Sequence, residues 1–221
     1  MLENKRVIIT GSNGALGRAT SYTARNYGAV VIGFDISNDS SNEKQRKVDL
    51  LSFKEIEAEV ASLGNIDALV NIAGGFRMGA SVHEIDLNEW DEMQAINVTT
   101  LRNMLASIVP LMLSRKSGSI VNLGAMSAVR GVSQMSAYIA AKNNVMRITE
   151  SLSEEVKDFG VNVNAVLPSI IDTPTNRKEM PDANFDDWVT PSSIAEVICF
   201  LISDRAKAIN GALIPVSDSN R

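Results

Sequence analysis

Thr10-Gly-Ser-Asn-Gly-Ala-Leu-Gly17 is the segment from which the expected architecture of the chain follows. An apolar run at 6–10 precedes it and predicts a strand, and an amphipathic stretch at 15–27 predicts a helix. Glycines between a strand and a helix permit a tight turn and let the backbone approach a pyrophosphate at the helix N-terminus. The segment therefore predicts a dinucleotide-binding turn. Contacts with the dinucleotide are expected from Gly11, Asn13, Gly14, Ala15, Leu16 and Gly17.

Apolar runs and amphipathic stretches alternate through the rest of the chain. Six further strands are expected at 29–34, 47–49, 66–72, 119–123, 161–167 and 212–216. Helices are expected between them at 53–63, 86–115 with a bend, 133–159 and 191–203. This alternation indicates an α/β fold of the doubly wound Rossmann type, with a seven-stranded, mostly parallel sheet and helices on both faces.

The sequence shows no internal repeat and no linker, so residues 1–221 are expected to form a single domain. Residues 169–189 lack a clear helical or strand period. A segment of that length inside one domain is usually functional, and we expect it to be a lid over the substrate.

The composition narrows the class of protein. Lys and Arg number 21 against 26 Asp and Glu, which leaves no basic excess for binding nucleic acid. No apolar run reaches the ~20 residues of a membrane span. One cysteine and one histidine leave too few ligands for a zinc site built from these residues, and no disulfide partner. We expect a cytoplasmic enzyme that uses no metal and binds neither nucleic acid nor membrane.

Acidic residues end the second and third predicted strands. Asp35 lies where a carboxylate accepts hydrogen bonds from the adenosine ribose hydroxyls and repels a 2′-phosphate. Asp49 is a candidate for binding adenine. NAD(H) is therefore favoured, with NADH expected to bind at least roughly tenfold tighter than NADPH. NADP(H) stays possible because Arg18 can reach a phosphate.

The segment Ser136-Ala-Tyr-Ile-Ala-Ala-Lys142 places a phenol, Tyr138, and an ammonium group, Lys142, one helical turn apart. A nearby cation stabilises a phenolate, so the pair predicts a tyrosine pKa below its usual value of ~10. Tyr138 is accordingly a candidate proton donor to a group that is being reduced.

With these features the chain resembles the short-chain dehydrogenase/reductase family over essentially its whole length. The matching pieces are the glycine turn, Asn71-Ile-Ala-Gly74, Asn97, and Tyr138 with Lys142. The resemblance implies that Tyr138 is the acid/base, that Lys142 holds the nicotinamide ribose and that Asn97 supports a proton-relay water. It also places five residues beside the cofactor: Asn71, Ala73, Gly74, Pro168 and Thr173.

The sequence departs from this family's pattern in two places. Gly14 gives the turn an unusual spacing, with Ala15 where a glycine is usual. The family's catalytic serine falls at Ala125. Ser127, two residues away, is a candidate substitute, the alternative being a loop serine bonded to the backbone.

The missing serine is shared by the dihydropteridine reductase branch of the family, which the segment Val166-Leu-Pro-Ser-Ile-Ile-Asp-Thr-Pro-Thr-Asn-Arg-Lys-Glu-Met-Pro181 also resembles. The resemblance implies an NADH-dependent reductase of quinonoid dihydropterins or similar planar heteroaromatics. Phe76 and Trp188 are then candidate substrate contacts, together with Ala125 and Ser127. The alternatives are a carbonyl reductase or alcohol dehydrogenase that uses Ser127, and a dinucleotide-sensing protein without turnover.

Assembly follows from the same resemblance. The helices predicted at 99–114 and 133–159 carry more apolar surface than one sheet face covers, and the family pairs these helices between subunits. A homodimer is expected, with a tetramer as the alternative.

Overall fold

The computed structural model describes residues 1–37 and 45–217, which contain seven strands. They are β1 (Arg6–Thr10), β2 (Val30–Asp35), β3 (Gln45–Lys47), β4 (Ala68–Asn71), β5 (Gly118–Leu123), β6 (Val161–Pro168) and β7 (Leu213–Val216). All seven join one sheet in the order β3-β2-β1-β4-β5-β6-β7, and each neighbouring pair is parallel. This order is that of a doubly wound Rossmann-type sheet, as predicted, and it brings the carboxyl ends of all strands to one edge.

The same described residues contain seven α-helices. They are α1 (Ala15–Asn26), α2 (Phe53–Ala61), α3 (Leu87–Gln94), α4 (Thr100–Arg115), α5 (Ser136–Val156), α6 (Pro174–Glu179) and α7 (Pro191–Leu201). Alternate residues of β1 point to opposite faces of the sheet. Ile8 packs with buried residues of α2, α4 and α5, whereas Val7 and Ile9 pack with α1 and α7. Helices therefore cover both faces of the sheet.

Three elements differ from the sequence prediction. The third strand is Gln45–Lys47 rather than 47–49, because the Asp49 carboxylate accepts a hydrogen bond from the Leu51 amide and turns the chain toward α2. The fifth helix begins at Ser136 rather than 133, since Gln134 has a left-handed backbone with φ of 60°. The segment 169–189 is not structureless, because it contains α6 and an isolated parallel bridge between Ile171 and Val189.

The helical segment Leu87–Arg115 is long and apolar enough to cross a membrane, by length and composition only. A π-helical turn, Ala95–Thr99, separates its two α-helices, within the helical region in which the sequence predicts a bend without giving its position. Leu101, Met104 and Ile108 of α4 are almost completely buried in the core beneath the sheet. These contacts are those of a core helix.

A buried chain of polar side chains ties α5 to the sheet. Asn71 Nδ2 on β4 donates to Asn122 Oδ1 on β5 at 2.9 Å, and Asn122 Nδ2 donates to Thr149 Oγ1 on α5 at 2.9 Å. Thr149 in turn donates to the Val145 carbonyl oxygen. Because buried polar groups need partners, this chain fixes the position of the helix that carries Tyr138.

Asn122→Ala tests that anchor. The substitution leaves Asn71 Nδ2 without its acceptor and Thr149 Oγ1 without the hydrogen bond from Asn122, so we expect the free energy of unfolding to fall by about 2–4 kcal/mol. Urea unfolding followed by circular dichroism measures the loss. Asn144→Ala is the control, because Asn144 is exposed and bonds only to Gln94 in the structure. Equal stability of the two variants would show that the buried chain is not an anchor.

Candidate active site

The glycine turn between β1 and α1 is tightly packed against the end of β4. Gly11 has a φ of 64°, and a Cβ there would lie 3.0 Å from the Ala73 backbone. A Cβ at Gly17 would overlap the Gly11 carbonyl oxygen. Gly14 caps α1, and Ala15 follows as the first helical residue with an exposed side chain. The methyl group of Ala15 is therefore accommodated where the family usually has glycine.

The N-terminus of α1 has the features of an anion site. Its N-cap residue, Gly14, has no side chain that could bond the first amide groups of the helix, so these groups suit a phosphate. Ser12 Oγ, in the turn, is buried without a hydrogen-bond partner among the described residues. Leu16 is buried in the core and seats the helix. This backbone cradle fits the pyrophosphate of a dinucleotide.

Asp35 ends β2 beside the turn, as the sequence predicts. Its Oδ2 accepts a hydrogen bond from the Asn13 amide at 2.9 Å, and its Oδ1 accepts from the Ser37 amide at 2.9 Å and the Ser37 hydroxyl at 2.7 Å. The carboxylate is 9% exposed. Asp49 stands further along the same edge, where its carboxylate holds the turn before α2, and its contact with adenine stays a prediction.

The end of β4 is held by hydrogen bonds to Thr10 of the neighbouring strand β1. Thr10 Oγ1 accepts hydrogen bonds from the amides of Ile72 and Ala73, at 3.0 and 3.1 Å. Asn71 Oδ1 is buried and has no partner within the described chain. The segment that the sequence assigns to the cofactor therefore lies directly against the glycine turn.

Asn97 lies in the π-helical turn, and its side chain hydrogen-bonds to the loop after β4. Its Oδ1 accepts from the Gly75 amide, and its Nδ2 donates to the carbonyl oxygens of Gly75 and Met93, at 3.0 to 3.2 Å. A Cβ at Gly74 would lie 2.5 Å from Asn97 Oδ1, so only glycine fits there. One amide hydrogen of Asn97 positions this loop, and the other bonds the Met93 carbonyl oxygen of α3. Its support of a proton-relay water stays a prediction.

Lys142 lies one turn after Tyr138 on α5 and is only 4% exposed. Its Nζ donates to the Leu123 carbonyl oxygen at 2.9 Å, at the end of β5. The same Nζ is 3.4 Å from the position of a Cβ on Gly74, so the ammonium lies between the ends of β4 and β5.

Burial sets the ionisation of both groups. It lowers the pKa of Lys142 to about 8 and raises the pKa of Tyr138 to about 12. The expectation that Lys142 lowers the pKa of the tyrosine is therefore wrong for this arrangement. The spacing places the two groups on one helix face, but removal from water outweighs the attraction between phenolate and cation.

Phe76 lies against the Tyr138 ring. The ring centroids are 5.0 Å apart with planes at 89°, an edge-to-face contact, and Phe76 is 42% exposed. Ala125 is buried in the apolar cluster against which Tyr138 also packs. Ser127 is half-buried in the 3₁₀ turn Met126–Val129. Phe76, Ala125 and Tyr138 thus belong to one site, whereas a catalytic role for Ser127 stays a prediction.

The candidate lid, residues 169–189, is held together by contacts between its own side chains. Arg177 forms an ion pair with Asp172 through two hydrogen bonds, and its guanidinium lies 4.5 Å from the centre of the Phe185 ring. Trp188 is 4% exposed and packs against Phe185. Asp172 and Arg177 are therefore paired within this segment, and the Trp188 ring, a candidate substrate contact, takes part in packing it.

Two further residues assigned to the cofactor, one at the end of β6 and one in the candidate lid, have defined structural positions. Pro168 is buried at the end of β6, where it pairs with Val216 of β7. Thr173 Oγ1 accepts from the Asn176 amide and so caps α6. Their contacts with the cofactor stay predictions.

The structure adds positioning residues that sequence reasoning missed. Thr10, Ser37 and Asn122 each hold a residue of the site through side-chain hydrogen bonds. For Asn122 the sequence contains a signal, since a polar residue within an otherwise apolar strand needs a buried partner. Among residues 1–37 and 45–217, no group of three or more His, Cys, Asp or Glu side chains is arranged to hold a metal ion.

Comparison with known proteins gives the family. The family model described as short chain dehydrogenase matches residues 5–184, and the chain belongs to this family. One similar relative is short-chain dehydrogenase/reductase cdmF of Talaromyces verruculosus, 30% identical over 99% of this chain and 98% of that protein. Another is asnovolin H dehydrogenase nvfC of Aspergillus novofumigatus, 31% identical over 96% of this chain and 95% of that protein.

Solved structures share the fold. The crystal structure of gox2181 matches with a TM-score of 0.90 and 26% identity, over 97% of this chain and 95% of that one. NAD⁺-bound xylitol dehydrogenase and ElxO with NADP bound each match with a TM-score of 0.88 and 21% identity. The first covers 98% of both chains, and the second covers 96% of this chain and 97% of that one. These neighbours show that the fold accepts either dinucleotide.

The buried ammonium predicts a pH dependence of stability. Unfolded Lys142 regains its ordinary pKa of 10.5, so between about pH 8 and 10.5 the unfolded chain binds more protons and stability rises with pH. From pH 8.5 to 9.5 we expect the free energy of unfolding to rise by roughly 1 kcal/mol more in the wild type than in Lys142→Met. Urea unfolding at both pH values measures this. Tyr138 does not interfere, since its raised pKa reduces stability only above pH 10. Parallel pH profiles would contradict a buried, titrating ammonium.

Proposed function

We propose that the protein is an NAD(H)-dependent reductase in which Tyr138 donates the proton. The observation that carries this proposal is the position of Tyr138 and Lys142, one turn apart on α5, at the sheet edge that also holds the glycine turn. The raised pKa of Tyr138 keeps the phenol protonated near neutral pH. A protonated phenol can donate the proton that a reduction requires.

The residues of the chain divide the work between holding the cofactor and moving the proton. The turn at Gly11–Gly17 and the N-terminus of α1 would hold the pyrophosphate, and Asp35 would accept from the adenosine ribose. Lys142 would donate to the nicotinamide ribose from between β4 and β5. When bound, the nicotinamide supplies a hydride. The Tyr138 hydroxyl gives its proton to the atom of the acceptor that gains negative charge as the hydride arrives.

Tyr138→Phe tests the acid role. The variant keeps the ring and its contact with Phe76 but loses the proton donor, so we expect kcat to fall about 10²–10⁴-fold. The dissociation constant for NADH, from fluorescence titration, is expected to stay within about twofold of wild type, because binding groups are untouched. A variant with near-full turnover would show that the acceptor takes its proton from water.

We further propose that the acceptor is a planar heteroaromatic such as a quinonoid dihydropterin. Two features support this class. Ala125 offers no hydroxyl for the oxyanion that forms on a reduced carbonyl, whereas a conjugated imine system spreads charge over its ring nitrogens. Phe76, partly exposed beside Tyr138, offers a flat apolar surface on which a planar ring can stack.

A second candidate is reduction of a carbonyl compound or oxidation of an alcohol, with Ser127 in place of the missing serine. The name of asnovolin H dehydrogenase supports this class by relationship. The third candidate, a dinucleotide sensor without turnover, is less well supported, because a binding protein needs no buried Tyr138–Lys142 pair. NADP(H) remains an alternative cofactor.

Assembly and location are also proposals. A homodimer through α4 and α5, or a tetramer, is supported by Leu111 of α4, which is 37% exposed, and by Phe159 in the 3₁₀ turn after α5, which is 42% exposed. The composition of the chain is consistent with a cytoplasmic enzyme, as proposed.

A panel of acceptors distinguishes the two enzyme classes. We expect quinonoid dihydropterin to be reduced with kcat/KM of at least ~10⁴ M⁻¹s⁻¹ and aliphatic ketones and 3-oxoacyl thioesters far more slowly. Ala125→Ser should leave pterin reduction unimproved and raise ketone reduction, since it adds an oxyanion partner. Steady-state kinetics at saturating NADH measure both. Preference of the wild type for ketones, abolished by Ser127→Ala, would replace the pterin proposal with the carbonyl one.

A further inference from the structure

Ser37 and Asn13 form a clasp between the glycine turn and the end of β2. Asn13 Nδ2 donates to Ser37 Oγ at 2.7 Å and to the Ser37 carbonyl oxygen at 3.2 Å. Ser37 Oγ donates onward to Asp35 Oδ1 at 2.7 Å. The Ser37 hydroxyl thus accepts one hydrogen bond and donates another, and the second ends on the carboxylate assigned to the cofactor ribose.

The free acceptor positions of Asp35 follow by counting. A carboxylate oxygen has two lone-pair sites. Oδ1 uses both, for the amide and the hydroxyl of Ser37, whereas Oδ2 uses one, for the Asn13 amide. Within the described residues, Oδ2 therefore keeps one acceptor site that a ribose hydroxyl could use, whereas Oδ1 keeps none.

Three hydrogen bonds also prevent the carboxylate from turning away. Hydrogen bonds to a charged group are among the stronger ones in proteins, and a group held by three is fixed before a ligand arrives. A loosely held carboxylate can rotate to admit a 2′-phosphate, but a fixed one meets the phosphate with its negative charge in place. Arg18 lies close by, its Nε donating to the Asn13 carbonyl oxygen at 2.8 Å.

We propose that the Asn13–Ser37 clasp is a determinant of cofactor choice, which enforces preference for NAD(H) by fixing Asp35 with Oδ2 toward the ribose. This inference rests on the proposed preference for NAD(H) through Asp35. Asn13 and Ser37 are positioning residues in it, because they act on the ribose through the carboxylate.

Binding measurements test the clasp without turnover. Dissociation constants are measured by fluorescence titration for NADH and NADPH, and by calorimetry for 5′-AMP and adenosine 2′,5′-bisphosphate. The second pair lacks nicotinamide and isolates the ribose end. We expect Ser37→Ala and Asn13→Ala each to reduce the preference for the ligand without the 2′-phosphate roughly three- to tenfold. The change should be similar in both pairs of ligands.

The double variant adds a readout that a merely structural role would not move. If the two side chains act as one clasp, Asn13→Ala combined with Ser37→Ala should lower the preference no further than the stronger single variant. Ser62→Ala is the matched control, since its hydroxyl donates to Glu59 at the end of α2, away from the turn. The control is expected to keep the wild-type preference.

Asp35→Asn separates failure of this inference from failure of the proposed preference. Loss of preference in Asp35→Asn, with unchanged preference in both clasp variants, would overturn the clasp alone. Unchanged preference in Asp35→Asn would overturn the clasp and the proposed role of Asp35 together. Additive losses in the double variant would also overturn the clasp, because they would mean that Asn13 and Ser37 act separately.

Discussion

Lys142 carries its ammonium group into the protein interior, where the Leu123 carbonyl oxygen is the partner that the structure gives it. A buried cation with a neutral acceptor is costly, and the lowered pKa of Lys142 expresses that cost. The rest of the site depends on how this group is held. A Cβ at Gly74 would lie 3.4 Å from this Nζ, an ordinary contact, but only 2.5 Å from Asn97 Oδ1. The close approach of Asn97 therefore explains the glycine beside the buried lysine.

Because burial of the Lys142 charge is unfavourable, the helix that carries this residue must be held firmly against the sheet. The Asn71–Asn122–Thr149 chain holds it there, since it joins β4, β5 and α5 by buried hydrogen bonds one and two turns beyond Lys142. The π-helical turn Ala95–Thr99 also helps to hold the surroundings of Lys142 in place. It brings Asn97 onto the Gly75 backbone, and such turns interrupt α-helices mostly where a function requires them. The Tyr138–Lys142 pair is therefore positioned by polar contacts from three neighbouring elements.

The sequence predicts the features that local pattern controls. The strand–turn–helix at 6–17, the parallel sheet and the places of Asp35, Tyr138 and Lys142 all follow from short-range spacing. Features that depend on burial or on distant contacts do not. The pKa of Tyr138 moves opposite to the prediction because spacing reveals a neighbouring lysine but not the loss of water. Likewise, the hydrogen bonds between Asn97 and Gly75 and between Asn13 and Ser37 join residues more than 20 positions apart, so they require the folded chain.

The two ends of the site place different constraints on what the enzyme binds. At the proposed adenosine end, the Asp35 carboxylate is held by three hydrogen bonds, which would let the site discriminate between ligands by charge. At the proposed acceptor end, Ala125 and Phe76 present apolar surface around one phenol, and Arg177 is paired with Asp172. With few polar groups to recognise an acceptor, selection there depends on shape and on how readily the acceptor takes a hydride. An acceptor that delocalises its own developing charge suits such a site because the protein supplies a proton and little other electrostatic help.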